Sequence, residues 1–304
     1  MTEMRPSIVD GLDEQKVRFI EVGGHCVRYY EDGFGEPLVL ICGGEYGAAI
    51  SLDAWSLNLK QLAQHFHIYA LDKPGQGYSD IPKRDADYTW EWMFELTYLS
   101  LKALGVHQAH FVGHSRGGLV VACLALEHPE MVKTAVIVDS STVAAEDPHI
   151  PTDTFYNELA SRTRGPPTIE TTRMILGAQS VSQAHVTDDY VERTFKIASL
   201  SATQEARRSM KTLRMSVFYP SLYEKRVQVL SQIDDRGLPV PTLVIWGFND
   251  RAAPLYLGHR LFERICPKTP HAEFHVINRT GHQCFREQWR TFNRVVIDFC
   301  RSGH

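Results

Sequence analysis

Residues 111–118 read FVGHSRGG and place one serine, Ser115, between two glycines directly after an apolar run. A serine hydroxyl is a weak nucleophile until a general base takes its proton and an acid orients that base. Both partner types follow downstream. VIWGFNDRAAP sets Asp250 just past an apolar run, and VINRTGHQCF sets His282 just past another. The chemistry of such a set is attack on an electrophilic carbonyl, with Ser115 as nucleophile, His282 as base and Asp250 as the acid that fixes the imidazole. Asp139, which ends the run TAVIVD, is the rival acid.

A Gly-x-Ser-x-Gly pattern is weak by itself, because a chain of 304 residues contains one by chance with a probability of about one in ten. Its setting carries more. AHFVGHSRGGLVVACLALEHP runs strand, turn, helix, so the small residues let the backbone turn sharply and lift Oγ above the sheet. The helix that begins beside Ser115 presents its free N–H groups and dipole to a developing oxyanion, which makes the Arg116 amide one donor. A second is expected from LICGGEYGAAISLDAW, where Gly43 and Gly44 allow close backbone approach; the Gly44 amide is the candidate. The alternative use of these glycines is close strand–helix packing.

These residues need a frame. Residues 17–22 and 25–31, joined by Gly23 and Gly24, predict a β-hairpin. Residues 37–42, 68–72, 110–113, 134–139 and 242–247 are continuous apolar runs, the pattern of parallel strands buried on both faces, and 272–277 is the expected last strand. Helices are expected over roughly 53–64, 88–104, 116–128, 255–265 and 284–301. The aromatic cluster YTWEWMF is expected to anchor its helix to the core. This is a doubly wound, mostly parallel α/β sheet, and it puts Ser115, Asp250 and His282 on its carboxyl edge. From about 145 to 235 the strand signal stops and helix-like polar sequence takes over. The expected organisation is a core domain over 1–144 and 237–304, interrupted by a helical cap over 145–236.

Composition excludes several classes. A net charge of −4, with Lys and Arg scattered, supplies no basic surface for nucleic acid. The N-terminal segment lacks an apolar core and no stretch approaches the roughly 18 apolar residues of a membrane span, so a cytoplasmic protein with no membrane partner is expected. The six cysteines show no CxxC spacing and are expected as buried free thiols. His65 and His67 lack a partner that would complete a metal set, so no metal site is predicted. The expected partner is a small-molecule substrate; a homo-oligomer stays open.

Over nearly its whole length the chain resembles the α/β-hydrolase fold, and more narrowly the meta-cleavage-product hydrolases, which cut a carbon–carbon bond in ring-opened aromatic compounds. GGEYGAAISLDAW, DKPGQGYSD, TLVIWGFNDRAAP and REQWRTFNRVVIDF carry the general likeness, and PPTIETTRMI followed by TDDYVERTF resembles the cap of the C–C hydrolases. The resemblance implies a cofactor-free hydrolase acting on a 2-hydroxy-6-oxo-hexa-2,4-dienoate, with Arg193 binding the substrate carboxylate. Four positions depart from the family pattern: His114 and Arg116 flank the serine where Asn and Met are usual, Gln283 follows the histidine where Trp is usual, and Cys42 stands where His is common. Arg116 is expected either to meet a second substrate carboxylate or to pair with an acid such as Glu45. An esterase or lactonase using the same residues is the alternative function, and a non-hydrolytic cyclase or ligand receptor on the same fold is a further one.

Overall fold

The structure, a computed structural model, describes residues 11–144 and 154–303. Eight strands form one sheet: β1 (Val17–Val22), β2 (His25–Asp32), β3 (Pro37–Ile41), β4 (His67–Leu71), β5 (Ala109–His114), β6 (Val132–Val138), β7 (Thr242–Gly247) and β8 (Ala272–Ile277). Their spatial order is β1-β2-β4-β3-β5-β6-β7-β8. β1 and β2 form the expected hairpin, with Val22 opposite His25, and the two glycines between them both take positive φ, as a tight hairpin turn requires. β2 joins β4 antiparallel, and every later pairing is parallel.

Eleven helices occupy the described residues: α1 (Ser56–Leu62), α2 (Trp90–Ala103), α3 (Arg116–Glu127), α4 (Thr154–Arg162), α5 (Ile169–Ala178), α6 (Asp188–Ser199), α7 (Ser201–Leu213), α8 (Tyr219–Arg236), α9 (Leu255–Ile265), α10 (Cys284–Glu287) and α11 (Trp289–Arg301). Because side chains alternate across a strand, each apolar run supplies two cores at once. Val39, Ile41, Phe111 and Val244 pack with α2, α3, α8 and α9 on one face. Leu38, Leu40, Val112 and Ile245 pack with α1 and α11 on the other. Trp90, Met93 and Phe94 bury the inner face of α2, the anchoring role expected of that cluster.

Two helices differ from expectation. The one expected over 53–64 opens as a 3-10 turn, Leu52–Trp55, because Asp53 turns inward to Arg28 and accepts from Ser51. The one expected over 284–301 breaks at Gln288, where Glu287 is committed to the N–H groups of Val181, Ser182 and Gly281. Cys42, Cys123, Cys284 and Cys300 are buried, but Cys266 is exposed and Cys26 only partly covered, since neither lies on an inward-facing position.

Helices α4 to α8 lie between β6 and β7, which are neighbours in the sheet. Several of their residues meet carboxyl-edge loops: Arg207 donates to the Gly47 carbonyl at 2.9 Å, and Gln179 accepts from the His282 N–H at 2.8 Å. Residues 145–153, where the helical segment was expected to begin, lie outside the described residues. Among the described residues no helix is long and apolar enough to cross a membrane.

Candidate active site

The loops that follow β3, β5, β6, β7 and β8 leave from the same edge, because these strands are parallel. The chain runs from β3 to β4 on one side of β3 and then crosses to β5 on the other, so Ser115 and the loop after β3 flank a topological switch point.

Ser115 joins β5 to α3 with φ +52°, a left-handed conformation that a non-glycine residue holds only under tertiary constraint. The constraint is visible. Its N–H donates to the Val138 carbonyl at 2.8 Å, and its own carbonyl accepts from the Gly118 N–H at 2.9 Å and from Ser140 Oγ at 2.6 Å. The surrounding glycines are sterically required. A Cβ on Gly113 would stand 2.2 Å from the Gly117 carbonyl oxygen, one on Gly117 would stand 2.4 Å from the Ile41 carbonyl oxygen, and one on Gly43 would stand 2.7 Å from Ser115 Cβ. Close packing and the sharp turn are therefore one device, not alternatives.

His282 Nδ1 lies 2.7 Å from Asp250 Oδ2. The other carboxylate oxygen, Oδ1, accepts from the Ala252 and Ala253 N–H groups at 2.7 and 2.8 Å, which fixes the acid's orientation. Burial disfavours charge on His282, but the Asp250 carboxylate outweighs it through charge and hydrogen bond, and the imidazole is held above its ordinary range. Asp139, the rival acid, turns elsewhere: its Oδ1 accepts from the Gly247 N–H at 2.7 Å. Burial, followed by the charge of Asp250, pushes its carboxyl well up.

Not every expected contact is made. None of the hydrogen bonds among the described residues joins Ser115 Oγ to His282. Arg116 meets Glu45 at 3.1 Å, and Arg214 of the helical segment pairs with the same carboxylate. Arg193, on α6, pairs through Nε with buried Asp53 at 3.1 Å and through Nη1 with exposed Asp189. His67 pairs with Glu31 at 2.9 Å, and among the described residues no cluster of His, Cys, Asp or Glu could hold a metal ion.

Several residues at the site were given no role by the sequence. His114 donates from Nε2 to the His282 carbonyl at 2.7 Å, and its ring lies 4.7 Å from that of His282. Burial, then the neighbouring His282, pushes His114 well down, so it stays neutral. The Tyr156 ring of α4 stands edge-on to His282 at 6.5 Å. Lys73 is buried beneath the loop after β3, where a lysine inside DKPGQGYSD was the only hint of it.

Comparison with known proteins finds relatives over most of the chain. The curated relatives include a 2-hydroxy-6-oxo-2,4-heptadienoate hydrolase of Pseudomonas putida, 26% identical over 93% of this chain and 95% of its own length. They also include a 2-hydroxymuconate semialdehyde hydrolase of Pseudomonas putida, 28% identical over 93% of each chain. Among solved structures, a variant of the meta-cleavage product hydrolase CumD superposes with a TM-score of 0.75 at 26% identity, covering 94% of this chain and 98% of its own. A profile described as alpha/beta hydrolase fold matches residues 37–286, a span that takes in both glycine-rich turns, the Asp250 loop and His282. On that match the chain belongs to the family of the α/β-hydrolase fold.

Proposed function

We propose that this hydrolase cleaves the carbon–carbon bond of a 2-hydroxy-6-oxo-hexa-2,4-dienoate, with Ser115, His282 and Asp250 as its catalytic residues. The observation that carries the reading is the buried His282–Asp250 pair on the same sheet edge as the constrained turn at Ser115. Curated relatives named for dienoate and semialdehyde hydrolysis, alike over nine-tenths of the chain, direct the choice of substrate.

The substrate's dienol is first ketonised, with His282 handling the proton. Ser115 Oγ then attacks the remote ketone as its proton passes to His282 Nε2, a contact that commonly tightens only with substrate in place. The Gly44 and Arg116 amides hold the oxyanion. Collapse breaks the carbon–carbon bond, the electron pair enters the vinylogous enol, and His282 returns its proton to the leaving fragment. Water releases the acyl group from Ser115 as a carboxylic acid.

Arg193 supplies the carboxylate subsite. Its guanidinium pairs through Nε with buried Asp53, and a further carboxylate partner, Asp189, is 57% exposed. The substrate carboxylate replaces Asp189, exchanging one charge-assisted contact for another.

The test compares wild type with Arg193→Lys on a dienoate and on a neutral aryl ester. The reading expects kcat/KM on the dienoate to fall by about 10²-fold or more, because a lysine cannot hold Asp53 and the substrate carboxylate at once as the planar guanidinium does, with the ester nearly unaffected. Equal small losses on both substrates would contradict carboxylate recognition and turn the assignment to ester hydrolysis.

A further inference from the structure

The side chain of Lys73 is almost completely buried at 1% exposure, and it performs no step in the mechanism above. Its Nζ donates to the carbonyl oxygens of Cys42 at 2.5 Å and Gly43 at 2.7 Å, the two residues that lead out of β3. Gln76 adds a contact to the Gly43 oxygen at 3.2 Å and one to the Glu45 oxygen at 3.1 Å. A trans peptide is planar, so the C=O of Gly43 and the N–H of Gly44 point in opposite directions. Fixing the Gly43 oxygen on Lys73 therefore also fixes the Gly44 N–H, directed away from the ammonium. Among the described residues no hydrogen bond uses that N–H, while Gly43 itself lies against Ser115, its missing Cβ 3.2 Å from Oγ.

We propose that Lys73 is a positioning residue: its ammonium clamps the Cys42 and Gly43 carbonyls, holds the Gly44 amide toward an oxyanion at Ser115, and places positive charge behind that amide. The proposal rests on the reading of Ser115 as nucleophile. Hydrogen bonds alone would be met by a neutral amide side chain, as Gln76 shows beside it, so the buried cation marks electrostatic work.

The groups facing Lys73 set its titration. They are the Cys42 thiol at the end of β3, Asp72 beside it on the chain, and His114 and Arg116 on either side of Ser115; Arg28 and Asp53 stand behind Asp72. Burial pushes the ammonium down to about 7, with Arg116 adding to the fall and Asp72 and Cys42 opposing it. The clamp therefore weakens as pH rises through neutrality, when the charge is lost.

The experiment follows aryloxide release from an aryl phosphonate that bonds to Ser115, a reaction that builds negative charge on a phosphoryl oxygen and needs no knowledge of the natural substrate. Wild type, Lys73→Met, Lys73→Arg and Ser115→Ala are compared across pH, with circular dichroism to establish folding. The proposal expects the labelling rate of Lys73→Met to fall by about 10²-fold, the scale of one lost oxyanion donor. Wild type should show an alkaline decline with its midpoint near neutrality, and Lys73→Arg, which cannot lose its charge, should keep the rate without that decline. Lys73→Met labelling at the wild-type rate, or the same alkaline limb persisting in a folded Lys73 variant, overturns the proposal. Should neither Lys73 variant fold, a wild-type profile that rises through the His282 limb to an alkaline plateau overturns it, and one that turns over and falls on the alkaline side supports it. Failure of the underlying reading looks different: Ser115→Ala would then label as fast as wild type.

Discussion

His282 Nδ1 and Asp250 Oδ2 stand 2.7 Å apart, with both residues buried. A carboxylate at Nδ1 requires the proton there, which leaves Nε2 as the basic nitrogen. Asp250→Asn keeps the shape and removes the charge. Its kcat should fall by about 10³- to 10⁴-fold with little change in melting temperature. A variant within a few fold of wild type would mean that Asp139 carries the acid's role.

The same pair sets the acid limb of the pH–rate profile. His282 acts as a base only when neutral, so kcat/KM rises with pH through its folded pKa, which lies above the usual 6.5. Removing the Asp250 charge leaves burial dominant, so the residual activity of Asp250→Asn should have its acid limb at lower pH. A limb unmoved between the two proteins would show that another group is titrating.

Gly113 has no room for a side chain, since a Cβ would meet the Gly117 carbonyl oxygen at 2.2 Å. Gly113→Ala must therefore separate β5 from α3. Urea unfolding should show a loss of about 3 kcal/mol, at the upper end of overpacking costs. A loss under about 0.5 kcal/mol, the range of ordinary surface changes, would show that the turn relaxes freely.

Much of the fold was legible because the central strands are continuous apolar runs: residues 242–247 coincide with β7, and 272–277, which carries a Glu and a His and is mostly half-buried, still coincides with β8. Helix breaks were less so. The break at Gln288 goes with Glu287, two of whose three backbone partners, Val181 and Ser182, come from residues distant in sequence. At the site, Asp250 and His282 could be placed because both follow strand ends, which fixes the sheet edge they occupy. Lys73, His114 and Tyr156 could not, since their relevance comes from partners brought in by the tertiary fold.

Arg28 donates to Asp53 at 2.8 Å and Asp72 at 3.3 Å, all three buried, and Asp53 also meets Arg193. Burial alone would raise the Asp53 carboxyl, but Arg28 overrides it and holds the group below its ordinary range. Asp53→Ala leaves the guanidinium of Arg28 facing one carboxylate instead of two. Urea unfolding should report a loss of about 3–5 kcal/mol, the cost of breaking a buried pair. Wild-type stability in the variant would contradict this account of the network.

Lys73 gives stability a pH dependence of known sign. Its folded pKa, about 7, lies below the ordinary 10.5, so between these values the unfolded chain binds a proton that the folded chain does not. Its contribution to stability therefore rises with pH across that window. Urea midpoints of wild type should rise relative to those of Lys73→Met from neutral to alkaline pH. Parallel curves would place the ammonium in a better solvated setting than its burial implies.

Ser115 is proposed to cleave a carbon–carbon bond. The most direct measurement is the loss of visible absorbance of a 2-hydroxy-6-oxo-hexa-2,4-dienoate, comparing wild type with Ser115→Ala and identifying the products. Wild type should bleach the dienoate rapidly, with a carboxylic acid and a dienol as products, and the variant should lose several orders of magnitude in rate. A dienoate left intact by wild type, with a simple aryl ester turned over, would contradict it.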